Sequence, residues 1–594
     1  MKCRFLCCLW CAIFVVAPPA SAVNKPSSSR SSAPTAIVHV NVIPMDGEHV
    51  LSDQTVLVEG ETIARLGPTQ SIKLHPGTRR IDGHGMYLIP GLMDAHVHLE
   101  SQTEFPLYLA NGVTTVFNLD GRPAHLLWRR QVAKGEVLGP TIFSTGPIFH
   151  QKRSPEEDVK LVDEQAVAGY DGIKIYNEVS KEEYPALIRE AKRKNLLLMG
   201  HVAREPGFAL TLQSGQSIAH LEEIVYTNFN PQHDDDFDHL VFDESKIPEI
   251  ARETKQANIY VTPTLDNFAM IVEQATDLGT FLRNPELRYV APWTLDNFAP
   301  ANDRYKNRFG PEKYPVLRNL LAIQRKLLKA LSEQGVPLMA GTDATEVGPV
   351  AGFGLHHELK EFVEDGLTPY QALETATTHP ARYLRQSGQL GSIETGKRAD
   401  LVLLKANPLT DISNTQKIAG VMVRGRWLGE KDLTSKLEEV PGAYAREEQK
   451  VERMMHDEPG KAVAYLADHD PLGRLAGFCV AEFATKHSLA DLGATLHEMR
   501  SADTRGETVS EDKVNTLGYA LMNKGLYQQA ITVLSVNAED FPKSANTWDS
   551  LADAYFHAGN ISKAVVNYQK ALATDSAYSN AESAKKFIQE HTQK

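Results

Sequence analysis

The sequence predicts an α/β protein: a TIM-type (β/α)8 barrel, a small β-sandwich domain built from both flanks, and a C-terminal all-α helical repeat region. Three observations predict it. Strand-like runs alternate with helix-period segments through the middle of the chain. Two β-rich stretches, far apart in the chain, flank that middle. Towards the C-terminus a pattern of large and small residues recurs after 34 residues. At 594 residues the chain exceeds one ordinary domain, and a formal net charge of −13 opposes non-specific nucleic-acid binding.

The elements follow in order. Residues 1–22 read as a secretory signal peptide: a basic start (Lys2, Arg4), an apolar run and a small-residue cleavage site at Ala20-Ser21-Ala22. The mature protein is therefore expected to be exported, to a periplasmic or extracellular location. Cys3, Cys7, Cys8 and Cys11 would leave with the leader, and Cys479 alone remains, so no internal disulfide is expected. No later stretch is long and apolar enough to cross a membrane. Residues 23–36, rich in Ser and Pro, read as a flexible linker. Residues 37–90 and 385–432 carry short runs of β-branched residues and are expected to share one composite β-sandwich domain.

Between them, residues 91–384 hold eight strand-like runs: 88–98, 113–118, 141–145, 172–176, 196–201, 217–221, 258–263 and 336–343. Helix-period segments such as 183–194 and 317–334 separate several of them, which is the signature of a closed parallel barrel. Two connections are long. Residues 227–245 are acidic, with Asp234, Asp235 and Asp236, and residues 265–315 are rich in aromatics. The aromatic connection is read as a substrate cover or as a contact in a homo-oligomer. A helical connector, residues 433–509, leads to tetratricopeptide-like repeats at 510–585. There Leu517, Ala530 and Leu534 recur as Leu551, Ala564 and Tyr568. Such repeats commonly offer a surface to a protein partner.

Polar residues in the barrel runs carry the chemistry. His96 and His98, in Gly91-Leu92-Met93-Asp94-Ala95-His96-Val97-His98, are two apart and so point to one side of a strand. His201, His220 and Asp343 stand at later strand ends, where a barrel gathers its functional groups. Any one of them alone reads better as a hydrogen-bonded core residue. Together, imidazole and carboxylate suit zinc or a similar divalent ion. Lys174 lies mid-strand between Ile173 and Ile175, where an inward cation is costly unless paired or modified.

This set resembles the amidohydrolase superfamily, in its imidazolonepropionase-like and prolidase-like branch, across residues 37–429. The resemblance extends to Gly366-Leu367-Thr368-Pro369 and to Gly391-Ser392-Ile393-Glu394-Thr395-Gly396-Lys397-Arg398-Ala399-Asp400-Leu401. It implies two divalent metal ions, expected to be zinc: His96, His98, Lys174 and Asp343 on one, and Lys174, His201 and His220 on the other. It further implies that Lys174 is a carbamate bridging the two. A binuclear amidohydrolase is then expected to cleave an amide bond in a small substrate by attack of a metal-bridging hydroxide. An Xaa-Pro-like dipeptide or an N-acyl amino acid fits, with Asp343 as the catalytic proton carrier. Tyr176, His150 and Arg204 are the expected substrate contacts. The same site would serve a lactone, lactam or phosphotriester, and a non-catalytic adaptor acting through the helical repeats is the remaining alternative.

Overall fold

A computed structural model describes residues 33–150, 153–230, 239–506 and 508–592. The signal-peptide segment, most of the linker and Asp234, Asp235 and Asp236 lie outside the described residues. The flank strands are β1 (Thr35–Val42), β2 (Leu51–Glu59), β3 (Thr62–Pro68), β4 (Arg79–Asp82) and β5 (Tyr87–Pro90). Through the middle run β6 (Leu92–Val97), β7 (Val113–Asn118), β8 (Thr141–Ser144), β9 (Gly172–Ile175), β10 (Leu197–Gly200), β11 (Ser217–Ala219) and β12 (Val261–Thr262). The second flank adds β13 (Leu401–Leu404), β14 (Ile418–Val423) and β15 (Arg426–Gly429).

Both flanks enter one eight-stranded sheet, in the order β15-β14-β13-β5-β1-β2-β3, with β4 on β1. The seam is antiparallel, Val402 opposite Ile89 and Leu403 opposite Leu88. Ile37, Val56, Ile63, Leu88, Leu401 and Met422 close a shared apolar core. Burying each such side chain contributes ~1.5–3 kcal/mol, which is what brings together segments some 300 residues apart. Instead of two separate facing sheets, the strands form a single connected sheet, and Thr62 of β3 bridges Arg398 ahead of β13.

The middle strands are parallel and form two sheets, β6-β7-β8 and β12-β11-β10-β9. Their residues are buried almost throughout, as parallel strands covered on both faces require. Isolated parallel bridges link Thr145 to Gly172, Val261 to Leu338 and Val97 to Ala344. The expected strand at 336–343 forms only single bridges. Asp343 there adopts a positive φ of 57°, which no extended strand accommodates.

The aromatic stretch 265–315 is largely helical rather than a loop, opening with helix Leu265–Phe281. Leu265, Phe268, Val272 and Ala275 recur at helical spacing and are buried. After Gly429 the described chain is all helical, from Glu430–Asp457 to Ala581–Thr592. Among the described residues, no helix is long and apolar enough to cross a membrane. The helical region packs onto the α/β part: Trp128 Nε1 donates to the Asp468 carbonyl at 2.8 Å, and Tyr444 meets Trp293 edge-on at 5.3 Å.

Candidate metal centre

β6 carries His96 into the interior, fully buried, and ends just before His98. Asp94, four residues before His98 in the same motif, is buried and fastens the Asp343 segment. Its Oδ1 accepts the backbone N–H of Thr342 at 3.0 Å and of His96 at 3.2 Å, and its Oδ2 accepts the Thr342 hydroxyl at 2.7 Å. Burial pushes the Asp94 carboxyl up to about 7, against those hydrogen bonds. Asp343 is thereby held over the strand ends.

The Nε2 atoms of His96 and His98 each lie 3.0 Å from Asp343 Oδ1. That oxygen has no partner in hydrogen-bonding alignment. Two imidazole nitrogens and a carboxylate oxygen that meet at one point are arranged as a divalent cation requires. Among the described residues, these three form a group whose ligand atoms all lie within 4.8 Å of one another. Asp343 Oδ2 is held separately, by the Asn267 amide at 2.7 Å.

Lys174 of β9 is buried, with Nζ 3.4 Å from His96 Nε2. Burial pulls its ammonium down from 10.5 to about 8, so a sizeable neutral fraction exists at mildly alkaline pH. His201 follows β10 and His220 follows β11, the latter at a positive φ of 72°. Ring centroids run from His96 to His220 at 4.7 Å and on to His201 at 4.8 Å. His220 Nδ1 faces the Thr264 hydroxyl at 2.8 Å, and His201 Nδ1 faces Asn177 Oδ1 at 3.1 Å. With Nδ1 engaged in both rings, Nε2 is left for a ligand. Burial holds His96, His201 and His220 below the ordinary histidine range, His96 at about 3, which keeps their lone pairs free of protons. Non-glycine residues at positive φ cluster here (His220, Thr264, Asp343), the usual placing of stored backbone strain.

A cavity of about 630 Å³ opens over these groups, walled by Phe268, Phe298 and Tyr305. Tyr176 lines it, its ring centroid 4.0 Å from that of His201. Arg204 also reaches the cavity, but its charge is taken up by Glu223 at 2.8 Å. His150 is exposed and does not line the cavity: the chain beyond β8 bridges back through Phe149 to Ile175 and leaves His150 outside. Sequence reasoning passed over Asp94, Asn267 and Arg474. The first sits inside the quoted motif and carried a readable signal. The other two line the cavity from distant helices and carried none.

The family model described as the Amidohydrolase family matches residues 87–428. The chain belongs to that family. This amidohydrolase is 23% identical over 438 residues to the Ochratoxinase of Aspergillus niger, covering 66% of this chain and 85% of the relative. It is 33% identical over 427 residues to the Adenine deaminase of a Ruegeria species, covering 68% of this chain and 58% of the relative. Among solved structures it is similar to a Bottromycin amidohydrolase, with a TM-score of 0.56 and 23% identity, covering 70% of this chain and 91% of that one. It is also similar to a Xaa-Pro dipeptidase with bound methionine in its active site, with a TM-score of 0.52 and 21% identity, covering 67% and 100%. These structural likenesses speak to the fold. In this amidohydrolase the family match ends at residue 428, so the helices from Glu430 onward lie outside it.

Proposed function

We propose that the chain is an exported, binuclear metal-dependent hydrolase of a small amide substrate. The reading rests on one observation above the others: six polar side chains from five separate segments of the chain are buried and gathered into one connected group. His96, His98 and Asp343 would hold one divalent cation, and His201 and His220 the second. Lys174 would lie between them as a carbamate, formed when its neutral amine adds to carbon dioxide and loses a proton. The parallel bridges from β8 to β9, from β12 to Leu338 and from Ala344 to β6 support a closed (β/α)8 barrel. The site then lies at the C-terminal strand ends, as in other such barrels.

When bound, such a pair of ions acidifies a water and polarises a carbonyl. The rest falls to the protein. Asp343, oriented by the Asn267 amide on Oδ2, accepts a proton at its carboxylate and returns it to the leaving amine nitrogen. Tyr176, protonated because burial pushes its phenol up, donates a hydrogen bond to a substrate oxygen. Phe268, Phe298 and Tyr305 shield the reacting bond from bulk water and fit an apolar group beside it. Arg204, already paired with Glu223, orders the wall behind His201 and does not serve as a free carboxylate receptor. The likeness to a Bottromycin amidohydrolase, a Xaa-Pro dipeptidase and an Adenine deaminase favours carbon–nitrogen bonds over lactones and phosphotriesters. A panel of Xaa-Pro dipeptides, N-acyl amino acids, aryl amides, adenine and lactones tests this. Turnover of an amide that stops with a chelator and returns with zinc is expected. Chelator-insensitive turnover, or turnover of lactones alone, would refute the reading. The helical repeats at 510–585 are read as a protein-binding surface.

A further inference from the structure

The helical region does more than cover the α/β part. Arg474, the first residue of helix Arg474–Lys486, reaches the wall of the cavity that holds His98 and Asp343. Its Nη1 pairs with Glu100 and its Nη2 with Glu346 at 2.5 Å. Glu100 follows His98 by two residues, and Glu346 follows Asp343 by three. One guanidinium therefore spans the two segments that carry these ligand candidates. Glu100 is buried and also accepts the Thr345 hydroxyl at 2.7 Å and the Thr294 hydroxyl at 2.5 Å. The His98 amide donates to the Ala344 carbonyl at 2.6 Å, so the two segments already run side by side. A second clamp comes from the same region: Glu447 accepts the hydroxyls of Ser101 and Thr103, both at 3.2 Å.

We propose that Arg474 is a positioning residue that sets the spacing of His98 and Asp343, and with it the affinity of the site for a divalent cation. The planar fork of arginine suits the task, since two carboxylates are held at once in a fixed geometry that lysine lacks. Removing it would leave Glu100 buried against Thr345 and Thr294 without its cation, and the segments that carry Glu100 and Glu346 would move apart. Groups that orient ligands from one shell out change metal affinity by about 10- to 100-fold when lost. The inference rests on the reading of His96, His98 and Asp343 as cation ligands.

The test uses the full chain. Zinc affinity is measured by competition with a chromophoric chelator for the wild type, for Arg474→Gln and for Glu346→Gln. The last removes one arm at a partly exposed carboxylate and serves if Arg474→Gln does not fold. Arg474→Gln is expected to bind zinc about 10- to 100-fold more weakly, and Glu346→Gln to lose affinity in the same direction. A merely structural residue would lower the melting temperature and leave zinc affinity unmoved. Wild-type zinc affinity in a folded Arg474→Gln or Glu346→Gln protein would overturn the inference and spare the metal site. If the wild type itself takes up no zinc, the metal reading and this inference fall together.

Discussion

Replacing Lys174 by Met separates the energetic cost of the buried amine from its use. Lys174 is buried between Ile173 and Ile175, and its ammonium is held at about 8 instead of 10.5, chiefly by burial. At ~1.4 kcal/mol for each tenfold change, that depression corresponds to about 3 kcal/mol against the charged folded state. The sign follows from proton counting. Between pH 8 and 10.5 the unfolded chain binds the proton that the folded chain has released, so raising pH through that window stabilises the metal-free protein. Below 8 both states are charged and the full penalty applies. Metal-free Lys174→Met has no such penalty, and its thioether chain fills much of the same volume. It is expected to be more stable than the metal-free wild type by up to ~3 kcal/mol at pH 7. The gap should narrow steadily towards pH 10.5, and the variant should have no hydrolytic activity at any pH. Urea unfolding of both proteins at pH 7, 8.5 and 10, after exhaustive chelation, reads this directly. A wild type more stable than the variant at pH 7, or a gap indifferent to pH, would refute the burial argument.

Three further outcomes are expected. Asp343→Asn keeps the side chain's shape and its contact with Asn267, so it should retain the fold and most bound zinc. Hydrolysis should still drop by about 10²–10⁴-fold, read as zinc stoichiometry against turnover. Asp94→Ala strands two backbone N–H groups and the Thr342 hydroxyl in the interior. At ~1–3 kcal/mol for each unsatisfied group, it should lower stability by at least ~3 kcal/mol; an unchanged urea midpoint would contradict that role. Truncation after Gly429 uncovers Trp128 and Trp293 and removes Arg474 and Glu447, so soluble yield and turnover should both collapse. Undiminished turnover by a soluble truncated protein would make the helical region a passenger.

Much of the fold was readable because parallel strands covered on both faces leave near-continuous apolar runs, as in Gly172–Ile175 and Leu197–Gly200. Two runs misled. Residues 336–343 look like the others in composition, but Asp343 turns into the left-handed region and only isolated bridges form. Residues 265–315 look like a long loop because Pro285, Pro292 and Asn284 interrupt them, whereas the helical spacing of Leu265, Phe268 and Val272 prevails at the start. His150 stands exposed beyond β8, and nearness in sequence to a strand end does not fix which way a side chain emerges.

Local chemistry settled the kinds of group available to the site: His96, His98, Lys174, His201, His220 and Asp343 stand out because each interrupts or ends a run that is otherwise apolar. That information is carried by neighbours one to five residues away in the chain. Only the tertiary structure decided what braces those groups. Asn267 on Asp343, Thr264 on His220 and Arg474 on Glu100, a pair 374 residues apart, depend on which surfaces pack together and on how dry the junction is. Hydrogen bonds and ion pairs take their strength from alignment and burial, and neither is encoded at any single position of the chain.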